Sequence, residues 1–281
     1  MGSDVQSGTP SAIDLQLERV MRAIQSGQGG EAARLAGDIL ARSPGQPKAL
    51  HLFGYALLMQ DRPDEAIEPL EKAHRALRDP AIETQLAIAL RKAGRSEDAL
   101  KRLLRVVKRE PAFSGGVHEL AYLLYSLERT DEAIDVLRKG MQAAPASPDL
   151  PILLAWIMRD RNDGRGAHEA FARALSVAPD HSDAQYGMGL VLLEAGEFGQ
   201  AAERFQRALA TNPADRQSQV LLAACLLEQG QSGVASVLLR QATRGGPRFY
   251  EQALKVVSSS SRGRFWLKPS AAAEFFSGRR N

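Results

Sequence analysis

Between residues 13 and 249 the apolar positions of this chain fall three and four apart, the spacing of one helix face. The clearest stretch is 182–215, SDAQYGMGLVLLEAGEFGQAAERFQRALATNPAD. Tyr186, Met188, Gly189, Leu190 and Leu192 predict a first helix, and Ala195-Gly196-Glu197 a tight turn. Ala201, Phe205, Ala208 and Leu209 predict a second helix, which Pro213 stops. A helix pair this short cannot bury its apolar face alone, so it needs neighbours of the same kind.

Those neighbours are present. The small residue of the second helix recurs at Ala32, Ala66, Ala99, Ala133, Ala167, Ala201 and Ala235, at steps of 34 residues with a single step of 33. The small residue of the first helix recurs as Gly54, Ala87, Ala121, Ala155, Gly189 and Ala223, with Val20 in the first unit. Small side chains at these points let the two helices of a unit touch. A proline closes six of the seven units; in the second, Arg78 holds the slot and Pro80 follows. The units are 13–46, 47–79, 80–113, 114–147, 148–181, 182–215 and 216–249. Gly27 to Gly30 form the first turn. Three departures stand out: Pro69 should remove a hydrogen bond and bend its helix, Glu128 replaces the turn glycine, and Gly140 replaces the last alanine. Asn162, in the fifth turn, tolerates a left-handed backbone.

This register resembles the tetratricopeptide repeat (TPR) family, over most of the chain. The resemblance implies an all-α fold: a right-handed superhelix, or α-solenoid, of seven helix-turn-helix repeats whose first helices line a concave face. An incomplete helix from Tyr250 to Val257 would cap it. In that family the concave positions lie one turn before and after the small first-helix residue. On this chain they include His51, Tyr55, Gln85, Arg91, His118, Tyr122, Tyr125, Trp156, Arg159 and Tyr186. Tyrosine and tryptophan join apolar area to a polar tip, as binding hot spots require. Arg91 and Arg159 can hold a carboxylate or backbone carbonyls. The alternative is that several of these aromatics simply pack between first helices. The Lys and Asn pattern of the family's carboxylate clamp for chaperone tails is missing. The implied role is a non-catalytic scaffold or adaptor that takes a peptide segment of a partner protein in its groove. The alternatives are a recognition or regulatory subunit of a separate enzyme or of a secretion or envelope assembly, and a peptide-responsive sensor.

Composition narrows this further. The hydrophobic share of 44% and charged share of 25% are those of a globular protein. The single cysteine, Cys225, excludes an internal disulfide and a Cys-based zinc site; it reads as a small buried hydrophobe. No two histidines stand four apart, no Ser sits in a nucleophile elbow, and Gly187-Met188-Gly189 lies inside a helix rather than in a phosphate loop. No metal, cofactor or catalytic group is expected, and the residues after 249 are too few for a catalytic domain. Residues 1–12 are polar, read as disordered, and lack the apolar core of a secretory signal, so the cytoplasm is the expected setting.

The net charge of +3 is uneven: Arg262, Arg264, Lys268, Arg279 and Arg280 outweigh Glu274, leaving the rest near neutral. A neutral body argues against a nucleic-acid groove. The basic, aromatic segment, with Arg264, Phe265 and Trp266, either folds back as a cap or docks on a partner or an anionic membrane surface. The third repeat carries a second basic cluster, Arg91, Lys92, Arg95, Lys101, Arg102, Arg105, Lys108 and Arg109, which is either a solvated face or a surface for an acidic partner. Oligomeric state is left open.

Overall fold

The computed structural model describes residues 12–243 and, beyond them, 249, 251–253, 255 and 256. Residues 1–11, most of the stretch read as disordered, lie outside the described residues, as do Pro247 and the 258–281 segment with Arg264, Phe265 and Trp266. Of the expected capping helix, 251–253 and 255–256 are described and are helical.

The chain divides into two compact units, the first up to Pro145 and the second from Ala146, at the end of the fourth repeat. The first unit holds four helix pairs: α1 (Ala12–Gln25) with α2 (Gly29–Arg42), α3 (Pro47–Met59) with α4 (Pro63–Leu77), α5 (Pro80–Lys92) with α6 (Ser96–Arg109), and α7 (Ser114–Ser126) with α8 (Thr130–Ala143). The second holds three: α9 (Asp149–Asp160) with α10 (Gly164–Val177), α11 (Ser182–Glu194) with α12 (Phe198–Thr211), and α13 (Arg216–Glu228) with α14 (Ser232–Thr243). Each pair is one repeat of the sequence pattern. Helix α1 starts at Ala12, inside the stretch read as disordered.

Local chemistry sets the helix starts. Pro47, Pro63 and Pro80 occupy first-turn positions, where a missing N–H costs nothing. The side chains of Gln46, Asp79, Asp163 and Asp215 accept from backbone N–H groups of the turns they open. Gly29 and Gly30, expected in a turn, open α2 instead; a Cβ on Gly29 would stand 2.9 Å from that of Met59, so the glycine admits the next repeat. Pro69 sits within α4, and the helix runs on through it to Leu77.

The turns inside the repeats share one device. Gly27, Asp61, Gly94, Glu128, Asn162, Gly196 and Gly230 all have positive φ, from 55° at Asp61 to 79° at Gly94. The residue after each donates its N–H back to the preceding helix, as in Arg129 to Leu124 O at 2.9 Å and Glu197 to Leu192 O at 2.8 Å. This is the glycine-favouring Schellman stop, met here by three residues with side chains.

The core of each pair follows the alanine register. Ala32, Ala66, Ala99, Ala133, Ala167, Ala201 and Ala235 are wholly buried. One turn on, a large residue fills the gap: Leu70, Leu103, Leu137, Phe171, Phe205 and Leu239. The sixth pair balances a large ring with a glycine. A Cβ on Gly189 would meet the Phe205 ring at 2.7 Å, and Gly187 backs on Phe171 in the same way. These glycines of α11 serve packing.

Candidate functional site

First helices carry the candidate residues in both units. In the first unit, His51 of α3 reaches Gln85 of α5, with Nε2 donating to Oε1 at 2.8 Å. Burial holds the His51 imidazole below its usual range, against the Gln85 bond and the Asp79 carboxylate. His51 also lines a pocket of about 570 Å³, with Leu17, Met21, Leu52 and Ile82 as apolar lining and Asp14, Glu18, Lys48 and Asp79 as charges. Leu52, Ile82 and Lys48 were not among the expected site residues. They lie outside the rule of one turn before and after the small residue.

Further along the unit, Arg91 of α5 lies over the Tyr122 ring of α7, 4.8 Å from its centroid. The same guanidinium stands 3.7 Å from Glu119 Oε2, and His118 Nδ1 lies 3.7 Å from the other Glu119 oxygen. Tyr122 is 40% exposed, a large aromatic left open to solvent on α7. Tyr55 and Tyr125 are half-buried on α3 and α7.

The second unit brings Trp156, Arg159 and Tyr186 together. The Trp156 ring meets Phe171 of α10 edge-on at 5.2 Å and Tyr186 of α11 at 6.3 Å, and Tyr186 meets Phe205 of α12 at 6.0 Å. One edge of this aromatic series is therefore core, and the half-buried Trp156 and Tyr186 are its outer members. Burial, then the Asp215 carboxylate, pushes the Tyr186 phenol up. Arg159 stands 5.7 Å from the Trp156 centroid and donates twice to Glu194 Oε1, from Nη2 at 2.6 Å and from Nε at 3.0 Å. Both candidate arginines thus already face a carboxylate of their own chain, because adjacent first helices set side chains about one repeat apart side by side.

The basic cluster of the third repeat is largely spoken for. Arg91 faces Glu119, Lys92 meets Asp61 at 2.7 Å, Arg95 meets Asp98, and Arg102 meets Glu71. Arg105 and Arg109 converge on Glu83 at 3.9 and 3.6 Å, and His74 approaches the same carboxylate at 3.7 Å. Glu83 is only 3% exposed, and a buried carboxylate needs such company. Glu83 escaped the sequence reading; its signal was an acidic residue on the otherwise apolar start of α5. Lys101 and Lys108 have no ion-pair partner among the described residues.

Cys225 is buried, and its thiol is pushed up to about 12 by that burial, which makes it inert at neutral pH. The described residues hold no group of three or more metal-ligating side chains. None of the described helices is long and apolar enough to cross a membrane.

Solved structures share this fold. A human IFIT1 dimer with PPP-AAAA is 16% identical, with a TM-score of 0.67 over 95% of this chain and 67% of that one. A thermophilic TPR protein of Thermus thermophilus, TTC0263, is 23% identical, with a TM-score of 0.54 over 65% of this chain and all (100%) of its own. YrrB, described as a TPR protein with an unusual peptide-binding site, is 17% identical, with a TM-score of 0.53 over 67% of this chain and 97% of its own. At these identities the likeness is one of fold. No curated protein matches the sequence. One family model described as tetratricopeptide repeat matches residues 23–84, 124–191, 158–217 and 192–257, and a second of the same description matches 84–148. With these matches spanning residues 23–257 and the helix pairs that fill them, the chain belongs to the tetratricopeptide repeat family.

Proposed function

We propose that this protein, a repeat scaffold of a protein-binding family, holds a peptide segment of a partner against its first helices. The observation that carries this is the state of Tyr122. It is a large aromatic on a first helix, left 40% exposed, with its ring steadied by Arg91 at 4.8 Å. A ring fixed in place before binding loses little freedom when a partner covers it. Tyr55 and Tyr125 stand with it in the first unit, and Trp156 and Tyr186 take the corresponding role in the second. The repeat register supports the choice of face: these residues flank the small positions Gly54, Ala121, Ala155 and Gly189, so they are free to vary while the small residues keep the helices stacked. A binding role needs no catalytic group, and TPR repeats are in general non-catalytic.

The test is co-purification from native cells with mass spectrometry, comparing the wild-type chain with Tyr122→Ala and with Trp156→Ala. Melting temperature is followed in parallel, because Trp156 also packs on Phe171. Loss of a partner from the Tyr122→Ala chain at unchanged melting temperature is expected. Retention of every partner by both variants would sink the groove assignment.

A further inference from the structure

Charge in the second unit is sorted by helix. Helices α9, α11 and α13 carry five carboxylates, Asp149, Asp160, Asp183, Glu194 and Glu228, against two arginines, Arg159 and Arg216. Helices α10, α12 and α14 carry the reverse, Arg165, Arg173, Arg204, Arg207 and Arg240 against Glu169 and Glu203. The first helices are therefore net −3 and the second helices net +3. At 100° per residue Asp149 and Asp160 fall on the side of α9 that carries Trp156, together with Arg159, and Asp183 and Glu194 on the side of α11 that carries Tyr186. Asp149, Asp160, Asp183 and Glu194 are exposed there, Glu194 already paired with Arg159 and Asp149 3.9 Å from His181, and Leu190 and Leu193 lie half-buried beside Tyr186. An aromatic and aliphatic floor fringed with carboxylates suits a segment that joins guanidinium groups to large apolar side chains. Arginine then gains both a carboxylate partner and an aromatic face.

This chain contains such a segment. Residues 258–281 hold Arg262, Arg264, Lys268, Arg279 and Arg280 against Glu274, and Phe265-Trp266-Leu267 lies among them. We propose that the acidic face of α9, α11 and α13 is a receptor for basic, aromatic peptide, and that its resident occupant is the chain's own 258–281 segment. This rests on the reading of the first helices as a peptide-binding face and adds the chemistry of the peptide. Tethering favours the intramolecular complex, because a segment of the same chain is held at the face at a higher effective concentration than a separate chain at ordinary dilution. A partner with a similar segment must then displace the resident one, so the chain is self-competing.

The test uses the full chain with Ser182→Cys, beside Asp183, and Ser270→Cys, beside the Phe-Trp-Leu run. Cys225 is buried and stays out of the reaction. A short bifunctional thiol cross-linker should join positions 182 and 270 within one chain. A control chain with Arg173→Cys on α10 in place of Ser182→Cys should cross-link several-fold less. At 1 M salt, where the screening length is about 3 Å, the yield should fall at least ~5-fold. It should fall equally when Arg262, Arg264 and Lys268 are changed to glutamate. Cross-links between two chains in place of one would overturn the intramolecular occupant and name a second copy instead. Equal yield from positions 182 and 173 would mean random collision of a tether and would also overturn it. A labelled synthetic 258–281 peptide, titrated onto the charge-reversed chain, separates the two layers of the proposal. Binding without any intrachain cross-link keeps the acidic receptor and refutes self-occupancy; no binding and no cross-link refutes both, while leaving the Tyr122 test of the first unit untouched.

Discussion

Glu128 sits where four of the seven repeats place glycine, at φ 62° between α7 and α8. An L-residue is destabilised by about 1–2 kcal/mol in the left-handed region. Glycine escapes that cost but loses roughly 0.5–1 kcal/mol through the greater freedom of its unfolded chain. Glu128→Gly should therefore stabilise the first unit by about 0.5–1 kcal/mol. The side chain is exposed and has no hydrogen-bond or ion-pair partner among the described residues, so its removal loses nothing else. Two related positions grade the effect. Asn162, at φ 59°, has a side chain that tolerates this backbone, so Asn162→Gly should gain less. Asp61, at φ 55°, also anchors Lys92 at 2.7 Å, so Asp61→Gly trades relief of strain against a lost ion pair and should gain least. Thermal unfolding reads the series: for a chain of this size Glu128→Gly should raise the midpoint by roughly 1–4 °C. Hydrogen exchange should place the gain in α7 and α8, since neighbours alone share a repeat's stability. A Glu128→Gly chain that melts lower than wild type, or an Asp61→Gly chain that gains most, would show that backbone strain does not govern these turns.

Two further outcomes are expected. Gly189→Ala drives a Cβ to 2.7 Å from the Phe205 ring and should destabilise by about 1–3 kcal/mol, whereas Gly199→Ala, on an open face of α12, should stabilise by about 0.5–1 kcal/mol; equal melting temperatures for the two chains would discard the packing account of α11. His51 is neutral in the fold because burial lowers its proton affinity below that of the unfolded chain. Its contribution is complete above the ordinary histidine range and is lost as pH falls below about 6.5 toward the depressed folded value. The urea midpoint of the wild-type chain should therefore drop between pH 7.5 and 5.5 by more than that of His51→Gln, and parallel curves would refute the assignment.

Much of the fold was legible because its determinants are periodic. The seven alanines named every repeat before a helix was seen, and all seven are buried at the contact of their pair. The turn residues were legible too, Asn162 from its own chemistry and Glu128 as a departure from glycine. What misled was local: Gly29 and Gly30 look like a turn, yet Gly29 is a contact with the second repeat that only the packed chain reveals. The candidate site divides in the same way. Which positions lie on the first helices follows from the register. What those side chains already hold does not: the hydrogen bond from His51 to Gln85 spans 34 residues, and the ion pair from Arg159 to Glu194 spans 35.

That spacing carries a rule. In a stack of pairs, charges about one repeat apart meet on neighbouring helices, as Arg102 meets Glu71 and Lys92 meets Asp61, each 31 positions away. Once the period is known, such partners can be struck from any count of charge offered to a ligand. Applied to the third repeat, the rule, the local pair of Arg95 with Asp98 and the buried Glu83 reduce a cluster of eight cations to Lys101 and Lys108, too little to make a basic docking face. Applied to the second unit, it removes Glu194 with Arg159 and sets His181 3.9 Å from Asp149, and it leaves Asp183 exposed on α11. The basic cluster that looked most like a binding surface in the sequence is thus mostly paired within the chain, while the first helices of the second unit keep a net negative charge that drew no notice there. Recognition by this scaffold is better sought where an excess of charge remains beside exposed aromatic rings.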